Sequence, residues 1–92
     1  MSGVHALVLI KAETDLINEL AEQLVDVPGI KEVFSVAGQY DLVAIVRVRE
    51  NEELADVIST RVRKLRGILA TETLIAFRVY TKAQLSKMLD LD

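Results

Sequence analysis

Gly38, Gln39, Tyr40 and Asp41 are the residues of this chain whose types and spacing could best support binding chemistry. They lie between two apolar segments, where a tight turn needs the glycine but not an aromatic ring and a carboxylate beside it. Backbone N–H groups around Gly38 and Gln39 could donate to a carboxylate, and Asp41 could accept from an ammonium group. A zwitterionic amino acid presents both groups. The simpler alternative is a turn in which Asp41 only hydrogen-bonds the backbone.

Two threonines could extend this candidate site. Thr71 and Thr73 lie on a later predicted strand, in a second half of the chain that weakly echoes the first half. Their hydroxyl groups can both donate and accept hydrogen bonds. Glu72 lies between them among apolar residues, and we interpret this lone carboxylate as an interface or solvent contact rather than as a general base.

The remaining reactive residue types form no catalytic or metal-binding pattern. The sequence contains one histidine, His5, and no cysteine, which excludes a disulfide framework and a Cys-ligated metal site. The glycines are too scattered to form a phosphate-binding loop. We therefore expect no catalytic residue, no metal and no cofactor. An enzyme built on a dimeric α+β barrel is kept as an alternative, in which His5 acts with help from Tyr40 or Glu72.

Composition restricts the partners that the chain can bind. Its 92 residues are enough for one small domain, and its net charge of −3 and pI near 5.1 disfavour autonomous DNA binding, for which a basic domain is typical. The basic residues between 61 and 66 are explained by the dipole of a helix end. No apolar run approaches the roughly 18 residues of a membrane span. We expect a cytoplasmic protein with no membrane contact.

Hydrophobic periodicity predicts the order strand, helix, strand, strand, helix, strand. The predicted strands are Val4–Ala12, Ile30–Ala37, Tyr40–Arg49 and Ile68–Tyr80. Gly38-Gln39 is predicted to join the two middle strands as a two-residue hairpin turn.

Capping residues set the expected limits of the two helices. The first is predicted to be capped by Thr14 or Asp15 and to stop at Pro28-Gly29. The second is predicted to be capped by Asn51 and to end at Gly67.

This order of elements predicts an α+β, ferredoxin-like βαββαβ sandwich. Both helices must then cover one face of the sheet, yet the strands are apolar on both faces: Leu42 and Ala44 alternate with Val43 and Ile45. A mean hydropathy of +0.31 is also high for so small a chain. A second sheet packed against the first would cover the surplus apolar surface. The sequence therefore predicts a sheet-to-sheet homodimer, which is a dimeric α+β barrel.

From about residue 4 to residue 80, the chain resembles the effector-binding half of the Lrp/AsnC transcription regulators, called the RAM (regulation of amino acid metabolism) domain. The resemblance is carried by Pro28-Gly29-Ile30, by Gly38-Gln39-Tyr40-Asp41-Leu42, and by Gly67-Ile68 leading to Thr71-Glu72-Thr73. It implies dimers that assemble into octameric or decameric rings and bind an amino acid between dimers. It also implies ligand contacts at Gly38, Gln39, Tyr40, Asp41, Thr71 and Thr73.

The resemblance also suggests how the chain is organised. Residues 1–81 would form the RAM-like ligand-binding and oligomerisation domain, and residues 82–92 a short C-terminal helical tail bearing Leu85, Met88 and Leu89. The first predicted strand begins almost at Met1, as in stand-alone RAM proteins without a helix-turn-helix DNA-binding domain.

We therefore expect a non-enzymatic, amino-acid-responsive module that does not bind DNA directly. It could join full-length Lrp/AsnC homologues in a mixed ring. Two further alternatives stay open. One is an ACT-type amino-acid sensor, although residues 11–15 lack the glycine usual in that loop. The other is a purely structural oligomer that has lost its ligand.

Overall fold

The computed structural model describes residues 3–89 and has the predicted ferredoxin-like α+β fold. Its elements are β1 (Val4–Ala12), α1 (Ile17–Val25), β2 (Ile30–Ser35), β3 (Leu42–Val48), α2 (Asn51–Asp56), β4 (Ile68–Ile75) and α3 (Lys82–Leu89). None of the helices in the described part of the chain is long and apolar enough to span a membrane.

The helix α3 agrees with the predicted tail helix, but the side chains of Leu85, Met88 and Leu89 lie outside the described residues. The division at residue 81 stays a prediction.

The strands form one antiparallel sheet in the order β2-β3-β1-β4. Val8, near the middle of β1, lies opposite Ala44 of β3 and Thr73 of β4. Directly opposite residues share a face of a sheet, and successive residues alternate between faces. This register therefore determines which side chains can meet across the whole sheet.

The hydrophobic core lies between one face of the sheet and the helices. Val8, Ile10 and Val46 are fully buried on that face, and Leu20 and Leu24 of α1 pack over them. Every buried residue in the described part of the chain is apolar. Burial of each such side chain contributes about 1.5–3 kcal/mol to folding, so this layer supplies most of the favourable free energy.

The second helix contains a wide turn. After Asp56, α2 continues into π-helical residues Val57–Val62, where the Arg63 N–H donates to the Ile58 carbonyl oxygen at 2.9 Å. Val57 and Val62 are five residues apart, and in a regular α-helix they would point about 140° apart. The wide turn lets both side chains be buried in the core.

The predicted helix limits are wrong in detail. Thr14 and Asp15 form a short 3-10 turn with Leu16 and do not cap α1, because α1 begins only at Ile17 and Leu16 occupies its N-cap position. Asn51 is the first residue of α2 rather than its cap, and its side chain makes no capping bond. The second helix ends at Val62, and residues 63–67 form turns instead of a last helical turn.

The weak internal repeat seen in the sequence is present in the backbone. Gly29 has a φ of +99° immediately before β2, and Gly67 has a φ of +98° immediately before β4. Both angles lie in the left-handed region that favours glycine. The two helix-to-strand connections therefore turn in the same way in the two halves.

Three strands are shorter than predicted. Strand β2 ends at Ser35 and β3 begins at Leu42, and β4 ends at Ile75 instead of Tyr80. The neighbour of β4 is β1, where Ala6 lies opposite Ile75, and a last bond joins the Ala76 N–H to the His5 carbonyl oxygen at 2.8 Å. The same register would place Phe77 opposite Val4, where β1 begins, so residues 78–80 have no partner on β1. Phe77 is 100% exposed.

The second face of the sheet is largely apolar and stays partly exposed. We call this surface the open face. Alternation and register place six large apolar side chains on it, namely Leu7, Leu9, Phe34, Val43, Ile45 and Leu74. Leu7, Phe34 and Leu74 are 39%, 46% and 43% exposed. The prediction that the strands are apolar on both faces is confirmed.

Truncation of a side chain to alanine should lower the free energy of unfolding more at a buried position of α1 than at an exposed one. Leu24 of α1 is fully buried and Val25 beside it is 53% exposed. We expect L24A to lower the free energy of unfolding by about 2–5 kcal/mol, because it leaves a cavity. V25A should change it by less than about 0.5 kcal/mol. Urea unfolding at equal protein concentration measures both, and equal losses would contradict the described core.

Candidate functional site

Residues 36–41 connect β2 to β3 and form a wider loop than the predicted two-residue turn; we call them the 36–41 loop. The Val36 N–H donates to the Asp41 carbonyl oxygen at 3.0 Å and closes the loop. The Asp41 N–H donates to the Ile10 carbonyl oxygen of β1 at 2.9 Å. Asp41 is therefore bonded both to Val36, next to the end of β2, and to β1. Because the regular β2–β3 pairing ends at Ser35 and Leu42, the hairpin opens earlier than predicted.

The Asp41 side chain also anchors the loop to β1. Its Oδ2 accepts a hydrogen bond from the Ala12 N–H at 2.9 Å, where the pairing of β1 with β4 shifts register. This is the backbone contact that the simpler turn interpretation predicts. Oδ1 has no hydrogen-bond donor among the described residues. The predicted contact between Asp41 and an ammonium group stays a prediction, and it would have to use this second oxygen.

Tyr40 joins the loop to β4. Its hydroxyl donates to Glu72 Oε1 at 2.6 Å, a short bond of the charge-assisted kind. This bond, a small loss of hydration and the nearby carboxylate charge all raise the pKa of Tyr40 above its ordinary value of 10.0. Glu72 lies opposite Leu9, so it shares the open face, and the Tyr40 hydroxyl must reach that same side of the sheet.

The tip of the loop presents unused backbone donors. Among the described residues, no acceptor pairs with the N–H groups of residues 37–40. Gly38 has a φ of +139°, which favours glycine, and open space surrounds the position of an added Cβ. Lys11 Nζ donates to the Gln39 carbonyl oxygen at 3.0 Å and adds a positive charge beside these N–H groups. The arrangement suits an anionic group such as a carboxylate.

Thr71 and Thr73 do not meet the loop within one chain. They lie opposite Ile10 and Val8, on the helix-covered side of the sheet, whereas Glu72 between them lies on the open face. Both threonines are half-buried, and each lines a groove that also contains Ile58 of the second helix. Their predicted ligand contacts are thus not formed inside a single chain and stay predictions.

His5 and the basic cluster are separate from this site. His5 is a residue of β1 and lies opposite Arg47 of β3. It is four residues from Leu9, and so roughly 13 Å from it along the strand. The described residues contain no group of three His, Asp or Glu side chains that could hold a metal ion. Arg61, Arg63, Lys64 and Arg66 are at least partly exposed.

Sequence reasoning did not predict that Glu72 accepts a hydrogen bond from Tyr40 or that Lys11 donates one to Gln39. A signal for Glu72 was available, because strict alternation on β4 places it on the same face as Leu74 and opposite Leu9. A carboxylate in such an apolar surface needs a hydrogen-bond donor. The identity of that donor, Tyr40, depends on how far the loop folds back over the sheet.

Comparison with known proteins establishes the family. The Lrp/AsnC ligand binding domain family matches residues 5–85, which is most of the chain. An HTH-type transcriptional regulator of Pyrococcus horikoshii is 36% identical over 78 residues, covering 82% of this chain and 52% of the relative. The chain belongs to the Lrp/AsnC ligand-binding domain family. This RAM domain spans about half the length of the curated regulators that it matches.

Solved structures agree with this assignment. The protein TTHA0845 from Thermus thermophilus is 43% identical with a TM-score of 0.82, and the match covers 86% of this RAM domain and 99% of that protein. A feast or famine regulatory protein from M. tuberculosis complexed with L-methionine shares the fold, with a TM-score of 0.71 at 23% identity, over 86% of this chain and 54% of that one. The second structure shows the fold alone, and it is the family match over residues 5–85 that favours the Lrp/AsnC family over the ACT-type alternative.

The relatives also bear on the enzyme alternative. Several curated proteins similar to this RAM domain are transcriptional regulators. One enzyme, a homocitrate synthase of Sulfurisphaera tokodaii, is 28% identical over 77 residues, but the match covers 83% of this chain and only 16% of the enzyme. The similarity is therefore confined to a small part of that enzyme.

Removal of the Asp41 side chain should test its anchoring role. D41A leaves the N–H of the buried residue Ala12 without an acceptor, so we expect the free energy of unfolding to fall by about 1–3 kcal/mol. D41N keeps a side-chain oxygen and should lose less than half as much. Urea unfolding followed by circular dichroism at equal protein concentration distinguishes them. Unchanged stability of D41A would show that this contact is not formed in solution.

Titration of Tyr40 should report its bond to Glu72. The chain has two tyrosines, so Y80F leaves Tyr40 as the sole chromophore for tyrosinate absorbance. We expect a pKa above 10.0 that falls toward 10.0 in the E72Q background. Because the folded-state pKa is raised, the bond stabilises fully below pH 10 and is lost as pH rises through that pKa. E32Q is the control, and a titration insensitive to E72Q would contradict the bond.

Proposed function

We propose that this RAM domain is a non-enzymatic module that binds an amino acid at the 36–41 loop and thereby changes how copies of the chain assemble. One observation carries the proposal. The unpaired N–H groups at the loop tip stand beside Tyr40, which reaches the uncovered apolar open face through Glu72. A ligand-recognition loop and an association surface thus adjoin each other. The family, whose description is ligand binding, supports the same conclusion.

The open face is the proposed dimer interface. Its apolar side chains extend over all four strands and include residues that are 39–46% exposed, such as Leu7, Phe34 and Leu74. Exposed apolar patches of this kind mark association surfaces. A second copy related by a two-fold axis would present the same patch and cover it, as sheets do when they pack face to face.

The proposed ligand is a zwitterionic amino acid. Its carboxylate would accept from the N–H groups of residues 37–40 near Gly38 and Gln39, with Lys11 adding favourable charge. Tyr40 would form a wall of the pocket, and Asp41 Oδ1 would accept from the ammonium group. Thr71 and Thr73, which lie on the face of the sheet opposite Glu72, would contribute from a neighbouring copy between two dimers.

The proposed assembly is a ring of dimers, an octamer or a decamer, whose distribution shifts with ligand. A ligand changes an assembly equilibrium by as much as its affinity differs between the two states. Several curated relatives are HTH-type transcriptional regulators about twice as long as this chain. A mixed ring with such regulators in the cytoplasm would give the amino acid an indirect effect on transcription. L-methionine, bound to a structural relative, is the first candidate.

Light scattering coupled to size-exclusion chromatography tests the proposal. We expect the wild-type chain to elute as a dimer or a larger multiple, and at least one standard amino acid, tried individually with L-methionine first, to change the mass distribution. Isothermal calorimetry with the same amino acid should show direct binding. A monomer that no amino acid affects would refute the proposal.

Two aspartate variants provide a matched pair for the interface. L74D places a charge on the open face, where a second sheet would enclose it, and should shift the chain to monomer. V25D places the same charge on α1, at a position 53% exposed on the opposite layer, and should leave the assembly unchanged. Circular dichroism must show that both variants fold. Equal effects on assembly would argue against the open face.

A further inference from the structure

We propose that the Tyr40–Glu72 hydrogen bond couples the 36–41 loop to dimerisation through the open face. This inference rests on the proposed function, because it assumes that a second copy covers that face and that the loop receives the ligand. It assigns Glu72 a positioning role: the carboxylate holds the Tyr40 side chain, and through it the loop, in the arrangement that the closed interface requires.

The first step concerns where Glu72 lies. It is an exposed residue of β4 that pairs with Leu9, and on its own strand its next neighbour on the same face is Leu74. Both leucines belong to the open face. In the single chain, water can hydrate the carboxylate freely. When a second sheet packs on the open face, much of that water must leave.

The second step concerns the cost of that dehydration. A carboxylate moved out of water without a hydrogen-bond donor loses a large solvation free energy. Tyr40 supplies such a donor, since its hydroxyl lies 2.6 Å from Oε1. The other charged residues that register places on this face are Glu32, opposite Ile45, Arg47, opposite His5, and Lys11, opposite Ala70. The Lys11 ammonium donates to the Gln39 carbonyl oxygen instead of to Glu72. None of these three forms a hydrogen bond or ion pair with Glu72 in the described chain.

The third step concerns what holds Tyr40. The adjacent Asp41 is fixed to β1 by its backbone and side chain, and the carbonyl oxygen of Gln39 accepts from Lys11. Tyr40 lies between these two anchors in the chain, and its own N–H is one of the unpaired groups of residues 37–40 where a ligand would bind. A ligand that moves the ring away from Glu72 leaves a carboxylate without its donor in the interface. A ligand that keeps the ring in place protects the interface.

Thermodynamic linkage then makes the effect reciprocal. If the ligand alters dimer affinity through this bond, dimerisation must alter ligand affinity by the same factor. The alternative is that the bond only fastens the loop to the sheet. That alternative predicts altered loop stability in variants, but no dependence of dimer affinity on the pairing of these two side chains.

A double-mutant cycle on the full chain separates the two possibilities. The dimer dissociation constant is measured by sedimentation over a dilution series for wild type, Y40F, E72Q and Y40F/E72Q. We expect Y40F to raise the constant by about tenfold or more, because it leaves a dehydrated carboxylate without its donor. In the E72Q background residue 72 carries no charge, so loss of the Tyr40 hydroxyl should raise the dimer dissociation constant by less than about threefold.

E32Q is the matched control. It removes the same charge from the same face, on the edge strand β2, where the carboxylate makes no bond to Tyr40. Y40F should therefore be about as damaging in the E32Q background as in wild type. If Y40F raised the dimer dissociation constant equally in the E72Q and wild-type backgrounds, the coupling would be overturned. The proposed function would still stand if the wild-type chain dimerises and binds an amino acid.

The ligand provides the second readout. The amino acid that changes the wild-type dissociation constant should still bind E72Q, as measured by calorimetry, but should change the dimer dissociation constant of E72Q by a smaller factor. An undiminished factor in E72Q would overturn the coupling. A wild-type chain that stays monomeric at every concentration would overturn the proposed function itself, and with it this inference.

Discussion

The structure depends on one imbalance: a four-stranded sheet is apolar on both faces, but its own helices cover only one of them. The covered face holds the fully buried residues, such as Val8 and Val46, and supplies the stability of the fold. The other face leaves Leu7, Phe34 and Leu74 substantially exposed. Because water disfavours such a surface, the surplus apolar residues of the sequence are best understood as half of an interface. The high mean hydropathy of the chain has the same origin.

The 36–41 loop is important because it lies beside the open face of the sheet. Asp41 attaches the loop to the end of β1, and Tyr40 reaches Glu72 on the open face. Polar groups that would be ordinary on a solvated hairpin thus lie near the open face, the surface that we propose for association. Membership of the Lrp/AsnC ligand-binding family gives this geometry a functional context, in which recognition of a small molecule and assembly of subunits use neighbouring parts of one sheet.

Sequence patterns were most accurate for the core of each element and least accurate at its ends. The alternation of Leu42 and Val43 correctly indicated a strand apolar on both faces, and the echoing Gly29 and Gly67 correctly marked the turns before β2 and β4. Strand β4 was predicted to reach Tyr80, but it ends at Ile75. Its neighbour β1 begins at Val4, opposite position 77 in the register, so residues 78–80 have no partner there. The sequence of β4 itself continues to alternate beyond Ile75 and so does not indicate where the strand ends.

By itself, the sequence determined the order of the elements, the family, the apolar faces and the loop that carries the polar residues, because these depend on periodicity and turn chemistry over a few neighbouring residues. Only the tertiary structure decided that Asp41 bonds Ala12, that Tyr40 bonds Glu72, and that Thr71 and Thr73 face the helices. Those relations depend on the register between strands that are about 30 or more residues apart in the chain. A shift of that register by one residue would exchange the two faces and every partner.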